Sequence, residues 1–317
     1  MSAVSLQHEF GIWGGEDGAW VLDFVRRLDI PVVATLHGVP AQPSVSQRGI
    51  LCELAATAAT TVVMTRSAST LLTGTYGVDP TRVAVIPHGV PDLPLVASDT
   101  VKPRLGLQGK TVILSFGLLG PGKGFETAIA AMPAVIAAVP AACYVILGAT
   151  HPDSITRDGE AYRVGLEAQV AALGIGANVK FVDRFVGRVE LGTWLEAADV
   201  FVTPYPNLDQ SVSGTLAYAM AAGKAIVSTP YAYAAEQLAQ DRGRLIPTGS
   251  SSAISAAVTE LLGDAELRAA MGRRAYDYSR KMVWWEVGAE YRRTLDIASR
   301  AAATPVRSMR RLAIGVV

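Results

Sequence analysis

Cysteine is nearly missing from this chain. Cys52 and Cys143 are the only two among 317 residues, far apart and each in apolar surroundings. That excludes a disulfide framework, and the two read as buried core thiols suited to a reducing compartment. Net charge is missing as well, with 28 Lys and Arg against 28 Asp and Glu. A zero balance argues against a nucleic-acid partner, which would be held by neutralising phosphates. Long apolar runs are also lacking. None reaches the ~18 residues that a membrane-spanning helix needs. The start, MSAVSLQHEF, has no basic segment ahead of an apolar one, so it does not read as a signal peptide. The expected location is the cytoplasm.

What is present is a hydrophobic half and a strong rhythm. Apolar, β-branched runs alternate with helix-like segments almost throughout, as in parallel strands buried on both faces. Strands are expected at Pro31–Leu36, Thr60–Thr65 and Val83–Pro87, with helices at Gly49–Ala59 and Ala68–Tyr76. The proline-rich stretch from Val90 to Gly109 breaks the rhythm and reads as a boundary, with the linker at 96–109. A second series then runs from the strand Thr111–Phe116 to the helix Leu267–Lys281. It contains six strand candidates, and a last helix follows at Trp285–Arg300. The fold class is therefore α/β, with two doubly wound domains. The first, 1–95, carries only three or four strands and is expected to be incomplete. The second is 110–281, the final helix 282–300, and 301–317 a tail. An incomplete first sheet should leave an apolar face near Met1 to Trp13, exposed or covered by a partner chain. A homo-oligomer stays open.

Two strand-to-helix turns carry the chemistry. At Gln210–Val227 the chain reads QSVSGTLAYAMAAGKAIV. Ser213 can cap a helix, Gly214 lets the backbone approach a ligand, and the amides of Thr215 and Leu216 would face an anion. The alternative is an ordinary helix start. At Phe116–Glu126, FGLLGPGKGFE runs from a strand through Gly117 and Gly122 to Lys123 and into a helix. That is a phosphate cradle with a cation. It is not a P-loop, because no Ser or Thr follows the lysine. A solvated lysine in a tight turn is the plainer alternative.

The four histidines, His8, His37, His88 and His151, each follow an apolar run, where strands should end. Ligands of open α/β sheets bind at those ends. None has metal-type spacing to another His, Cys or carboxylate, so no metal site is expected. Glu9, Glu16 and Asp17 offer carboxylates without a paired spacing. Trp284 and Trp285 read as packing or as an anchor between domains.

Taken in order, these motifs resemble one family. HEF at His8, TLH at His37, VIPHGV at Val85–Val90 and FGLLGPGKGFE follow each other. LEAADVFVTPY at Leu195, SGTLAYAMAAGKAIVSTPY, GRLIPTG at Gly243 and DAELRAAMGRRA at Asp264 complete the set. The chain is similar to retaining glycosyltransferases of the GT-B fold, in glycosyltransferase family 4, from Gln7 to about Arg293.

The resemblance implies two Rossmann-like domains. The second binds a nucleotide-diphospho-sugar donor as substrate, with no cofactor and no metal. The first binds an acceptor, which is left unidentified among glycan, lipid and small molecule. Catalysis falls in the cleft between them, and the final helix crosses back to the first domain. A peripheral membrane contact stays open.

By position, Lys123 resembles the lysine that holds the donor diphosphate. Thr215 and Leu216 resemble the residues whose amides bind its distal phosphate. His37 resembles the histidine that contacts the donor sugar. Lys123, His37 and Gln210 are thus the candidate catalytic residues. Gly117, Gly122, His151, Ser213, Gly214, Thr215, Leu216 and Tyr218 join Lys123 on the donor side. His8 and Glu9 lie on the acceptor side, and His8 and His37 are expected to point into the cleft.

Two departures stand out. Leu118 occupies the place of a family arginine, and Gln210 and Tyr218 occupy the places of two glutamates. Gln210 can hydrogen-bond a sugar hydroxyl but cannot stabilise positive charge as a carboxylate does. A non-catalytic sugar-nucleotide-binding or scaffold protein is therefore a rival reading. A nicotinamide-dependent oxidoreductase is not supported, because FGLLGPGKG lacks the required glycine register.

Overall fold

A computed structural model describes residues 3–303. Most of the tail expected at 301–317 lies outside the described residues. Backbone packing divides the chain into two units. One comprises the residues up to Val63, Ser69–Ile86 and those from Gly288 on. The other comprises Met64–Ala68 and Pro87–Val287.

In chain order the first stretch is β1 (Val4–His8), α1 (Trp20–Val25), β2 (Val32–Leu36), α2 (Val45–Thr57), β3 (Thr60–Val63), α3 (Arg66–Gly74) and β4 (Val83–Val85). The four strands form one parallel sheet in the order β1-β2-β3-β4. Every residue of β2 is buried, as continuous VVATL requires of an inner parallel strand. Helix α2 starts in a capping box. Ser44 Oγ accepts from the Gln47 amide at 3.0 Å, and Gln47 Oε1 accepts from the Ser44 amide at 3.1 Å. Neither β1 nor α1 is among the elements expected from periodicity, because VSLQH and WVLDFV are too short to display one. Around them Ile12, Trp20 and Phe24 stand exposed. Cys143 is buried, but Cys52 is only half-buried and its thiol donates to the Tyr76 carbonyl at 3.6 Å.

The second stretch is α4 (Ser98–Val101), β5 (Thr111–Phe116), α5 (Phe125–Ala138), β6 (Ala142–Leu147), α6 (Pro152–Asp158), α7 (Ala161–Ala172), β7 (Val179–Val182), α8 (Arg188–Ala197) and β8 (Val200–Thr203). It continues with α9 (Gly214–Ala221), β9 (Ala225–Ser228), α10 (Ala232–Gln237), β10 (Arg244–Leu245), α11 (Ser251–Gly263), α12 (Ala265–Ser279) and α13 (Trp284–Ala303). Six parallel strands run in the order β10-β9-β8-β5-β6-β7. This is the Rossmann order, which reverses direction between β5 and β8. Alternate residues feed two cores. Val112, Leu114 and Phe201 pack toward α8 and α9. Ile113, Tyr144 and Val202 pack toward α5 and α11.

The 96–109 segment is not a free linker. It contains α4 and belongs to the second unit, where Ser98 Oγ donates to Asp199 Oδ1 at 2.5 Å. Helix α13 begins in the second unit and is part of the first from Gly288 on. There the Tyr291 hydroxyl lies 3.0 Å from Thr35 Oγ1. Among the described residues no helix is long and apolar enough to cross a membrane.

Candidate functional site

Open α/β sheets bind ligands at the carboxyl ends of their strands, where strand order reverses. In the second unit that point lies past Phe116 of β5 and Thr203 of β8. The turn after β5 is built from glycines that the surrounding backbone demands. Gly124 has φ +72°, and a β-carbon there would sit 2.1 Å from the Pro204 carbonyl oxygen. Gly148, past β6, has φ +146°, and a β-carbon there would sit 2.0 Å from the Gly117 oxygen. The loops past β5, β6 and β8 therefore pack backbone to backbone, and only glycine fits.

This packing brings Lys123 to the start of α9. Its ammonium lies 4.8 Å from the ring centroid of Tyr205, within cation–π range. The Tyr205 hydroxyl lies 3.0 Å from Thr215 Oγ1, on the first turn of α9. Gly117 completes the arrangement, since a β-carbon there would touch Thr215 Cγ2 at 3.5 Å. Gly122, with φ +91°, faces open space. Burial pulls the Lys123 ammonium below its ordinary pKa, and a bound anion would favour its charged form. Tyr205 is the residue that sequence reading overlooked. Its place after the apolar run VFVTP marked it as loop, and nothing in the spacing shows that it bridges Lys123 and Thr215.

The start of α9 differs in detail from expectation. Ser213 caps the helix, but it does so by accepting from the Leu216 amide at 3.3 Å. That amide is therefore engaged, and the open positions of the first turn are those of Gly214 and Thr215. Space at Gly214 is needed by a neighbour rather than by a ligand. A β-carbon there would lie 3.0 Å from His88 Nε2. His88 Nδ1 donates to the Gly89 carbonyl at 2.7 Å, which leaves Nε2 as the lone-pair nitrogen facing α9. Burial lowers the His88 pKa, which favours the neutral ring. His88 also packs edge-on against Tyr218, at 6.2 Å between centroids. Tyr218 lines a cavity of about 100 Å³ with Arg188, Leu191 and Trp284. Trp284 covers Gly89 so closely that a β-carbon there would overlap its ring, so it packs within the second unit.

Two candidates are occupied locally. His151 Nδ1 accepts from the Asp153 amide at 3.2 Å and caps α6. Its position past β6 is thus explained by a helix start. Gln210 Nε2 donates to the Val212 carbonyl at 3.0 Å, which holds the turn into α9.

The first unit carries His8, Glu9 and His37 at the carboxyl ends of β1 and β2. His8 is fully buried, and both ring nitrogens lack a partner among the described residues. Burial first, and the neighbouring His37 second, lower its pKa to about 4. His37 Nε2 lies 2.8 Å from Gln7 Oε1. Gln7 Nε2 in turn donates to Thr35 Oγ1 at 3.4 Å. Burial raises the Glu9 carboxyl above its ordinary value. Among the described residues no group of three or more His, Cys, Asp or Glu is placed to hold a metal ion.

Comparison with known proteins agrees with this architecture. Residues 98–278 match the family described as glycosyl transferases group 1, and residues 14–92 match glycosyltransferase family 4. A phosphatidyl-myo-inositol mannosyltransferase of Mycolicibacterium smegmatis is 29% identical over 220 residues, 68% of this chain and 52% of that protein. A GDP-mannose-dependent monoacylated alpha-(1-6)-phosphatidylinositol monomannoside mannosyltransferase of Corynebacterium glutamicum is 30% identical over 193 residues, covering 59% of this chain and 47% of that one. The chain spans about half the length of these curated relatives. Among solved structures, Anabaena HepE in complex with UDP superposes with a TM-score of 0.73 at 19% identity, covering 89% of this chain and 75% of that one. Sucrose-phosphate synthase from Thermosynechococcus elongatus gives 0.73 at 19%, covering 93% and 74%. The likeness shows the fold: two Rossmann-like domains of the GT-B type.

Proposed function

Because the chain belongs to the glycosyl transferases group 1, we propose that it transfers a sugar, with retention, from a nucleotide-diphospho-sugar to an acceptor hydroxyl. The observation that carries this reading is the Lys123–Tyr205–Thr215 bridge. It joins the one cation of the glycine-rich turn to the start of α9, at the reversal of strand order. A diphosphate seated there meets an ammonium and a helix N-terminus at once. Both stabilise negative charge as it develops on the departing diphosphate. The bond from the anomeric carbon to the diphosphate oxygen breaks, and the acceptor oxygen attacks on the same face. The acceptor proton passes to the leaving diphosphate. Such chemistry needs positioning and charge stabilisation more than a strong protein base.

The relatives' names favour nucleotide donors and inositol-bearing acceptors, and those head the trial. His8, Glu9 and His37 are assigned to the sugar and acceptor side, and Gln210 to a donor hydroxyl through its amide oxygen. Leu216 is assigned to the donor site through its place on α9 rather than through a free amide.

One observation favours the non-catalytic rival: the Gln210 amide is already bonded to the Val212 carbonyl. Incubation with UDP-glucose and GDP-mannose, with and without myo-inositol and inositol phosphate, separates the two readings. Transfer or slow release of nucleoside diphosphate, lost in Lys123→Ala, is the expected result. Saturable nucleotide binding without turnover would establish the rival, and no binding of either donor would overturn both.

A further inference from the structure

A cavity of about 410 Å³ lies at the opposite end of the second sheet, where β8 and β9 begin. Its floor is Asp199 and Lys224, its walls are the turn before α4 and the C-terminal end of α9, and its roof is the first two turns of α12. Three cations line it. Arg268, half-buried, and Arg273, exposed, come from α12, and Lys224 follows Gly223 at the end of α9. We infer that this cavity is a binding site for a small phosphorylated ligand, separate from the candidate donor site.

The charge arrangement supports an anion. Both carboxylates lining the cavity are already engaged. Asp199 Oδ2 takes the Lys102 ammonium at 2.8 Å and the Val112 amide at 2.7 Å, while Oδ1 takes the Ser98 hydroxyl. Asp99 Oδ1 takes the same ammonium at 2.6 Å. Three cations thus line the cavity against two carboxylates that Lys102 already answers from outside the lining.

Lys224 is only 5% exposed. It donates to the carbonyls of Glu196 and Ala198 at 3.0 and 3.2 Å, which are neutral acceptors. Burial pulls its pKa down to about 8, against the upward pull of Asp199 and Glu196. A buried ammonium without a bonded counter-anion gains from one. Arg268 donates through one guanidinium nitrogen to the Leu261 and Leu262 carbonyls. Arg273 has no hydrogen-bond or ion-pair partner among the described residues, so its planar fork is available for a phosphate. The cavity's volume suits a sugar phosphate or similar molecule, in the ~300–1,000 Å³ range of small-ligand sites.

The two sites lie at opposite ends of α9. Its first turn carries Thr215 beside Tyr205, and its C-cap leads through Gly223 to Lys224. An eight-residue helix separates them by about 12 Å.

Pyrophosphate titrated calorimetrically into Lys123→Ala tests the inference, since that variant weakens the candidate donor site and the dependence on Arg273 then reports the second one. Saturable binding is expected to persist. It should weaken by roughly tenfold or more when Arg273→Ala is added, and recover in part with Arg273→Lys. Lys123→Ala without saturable binding, or a double variant of equal affinity, would overturn it. Neither outcome depends on whether the chain turns over nucleotide sugars. Phosphatidylcholine vesicles doped with phosphatidylinositol phosphate separate the sources. Arg273-dependent sedimentation assigns a lipid headgroup, and its absence alongside pyrophosphate binding assigns a soluble phosphate ester.

Discussion

The carboxyl ends of the two parallel sheets solve different problems. In the second unit, glycine turns, one ammonium and one helix start are packed together around Tyr205. In the first unit, His8 and Glu9 are gathered beside His37 where burial disfavours charge on both. His8 is held neutral at physiological pH, and the Glu9 carboxyl is pushed upward. One end supplies charge for an anion. The other gathers two imidazoles and a carboxyl, the groups assigned above to the sugar and acceptor side. Burial disfavours charge at both ends, and the difference lies in the groups supplied: imidazole and carboxyl at β1 and β2, an ammonium beside a helix start at β5 and β8.

The widest effect that could break this contrast is acid sensitivity of the first unit. The folded-state pKa of His8, about 4, lies below its ordinary 6.5. Protonation then favours the unfolded chain. Stability from this group is complete above pH 6.5 and is lost as pH falls from 6.5 towards 4. The loss is on the order of 3 kcal/mol. Unfolding midpoints measured across that range should fall steeply in the wild type and less in His8→Gln. Parallel profiles would remove His8 from the neutral end.

Next in size is the cation of the other unit. Lys123→Ala should weaken UDP or GDP binding tenfold or more, about 1.5–3 kcal/mol for a charge-assisted contact. Calorimetry showing unchanged affinity would dissolve the proposed diphosphate site. Tyr205→Phe keeps the ring under the ammonium and removes only the bond to Thr215. A loss of about 0.5–1.5 kcal/mol in nucleotide affinity is expected, smaller than for Lys123→Ala. If the two losses are equal, the hydroxyl rather than the lysine organises the turn. The smallest effect belongs to His151. As a helix cap its replacement by Ala should cost about 0.5–1 kcal/mol of stability and leave nucleotide affinity unchanged. A fall in affinity without a fall in thermal midpoint would return it to the donor side.

Much of the second unit could be read from its residues, because its buried strands are continuous apolar runs and helices such as α5, α11 and α12 are long. Thr111–Phe116 and Val179–Val182 coincide with β5 and β7. The short elements could not be read. A four-residue helix such as α4 has no period, and prolines nearby suggest a linker. Lys123, Ser213 and Thr215 were identifiable because strand-glycine-helix turns are local. Tyr205, His88 against Gly214 and the engaged Leu216 amide were not, because each depends on side chains meeting from distant segments. Sequence spacing also could not decide between ligand and cap for His151. Both place a histidine just past a strand, and only the Asp153 amide distinguishes them.

The glycines beneath the second unit's turns have a consequence for redesign. Gly124 answers to the Pro204 carbonyl and Gly148 to the Gly117 carbonyl, so these positions are dictated by the chassis rather than by any cargo. The residues that differ from the family pattern, Leu118, Gln210 and Tyr218, are not glycines and are not bound by that steric demand. Of the three, Leu118 makes no side-chain hydrogen bond, whereas Gln210 also holds the turn into α9 and Tyr218 packs against His88. A library that varies 118, 210 and 218 while leaving the glycines untouched would keep the turns closed, whereas one that randomises the whole motif would spend most of its members on chains that cannot close them.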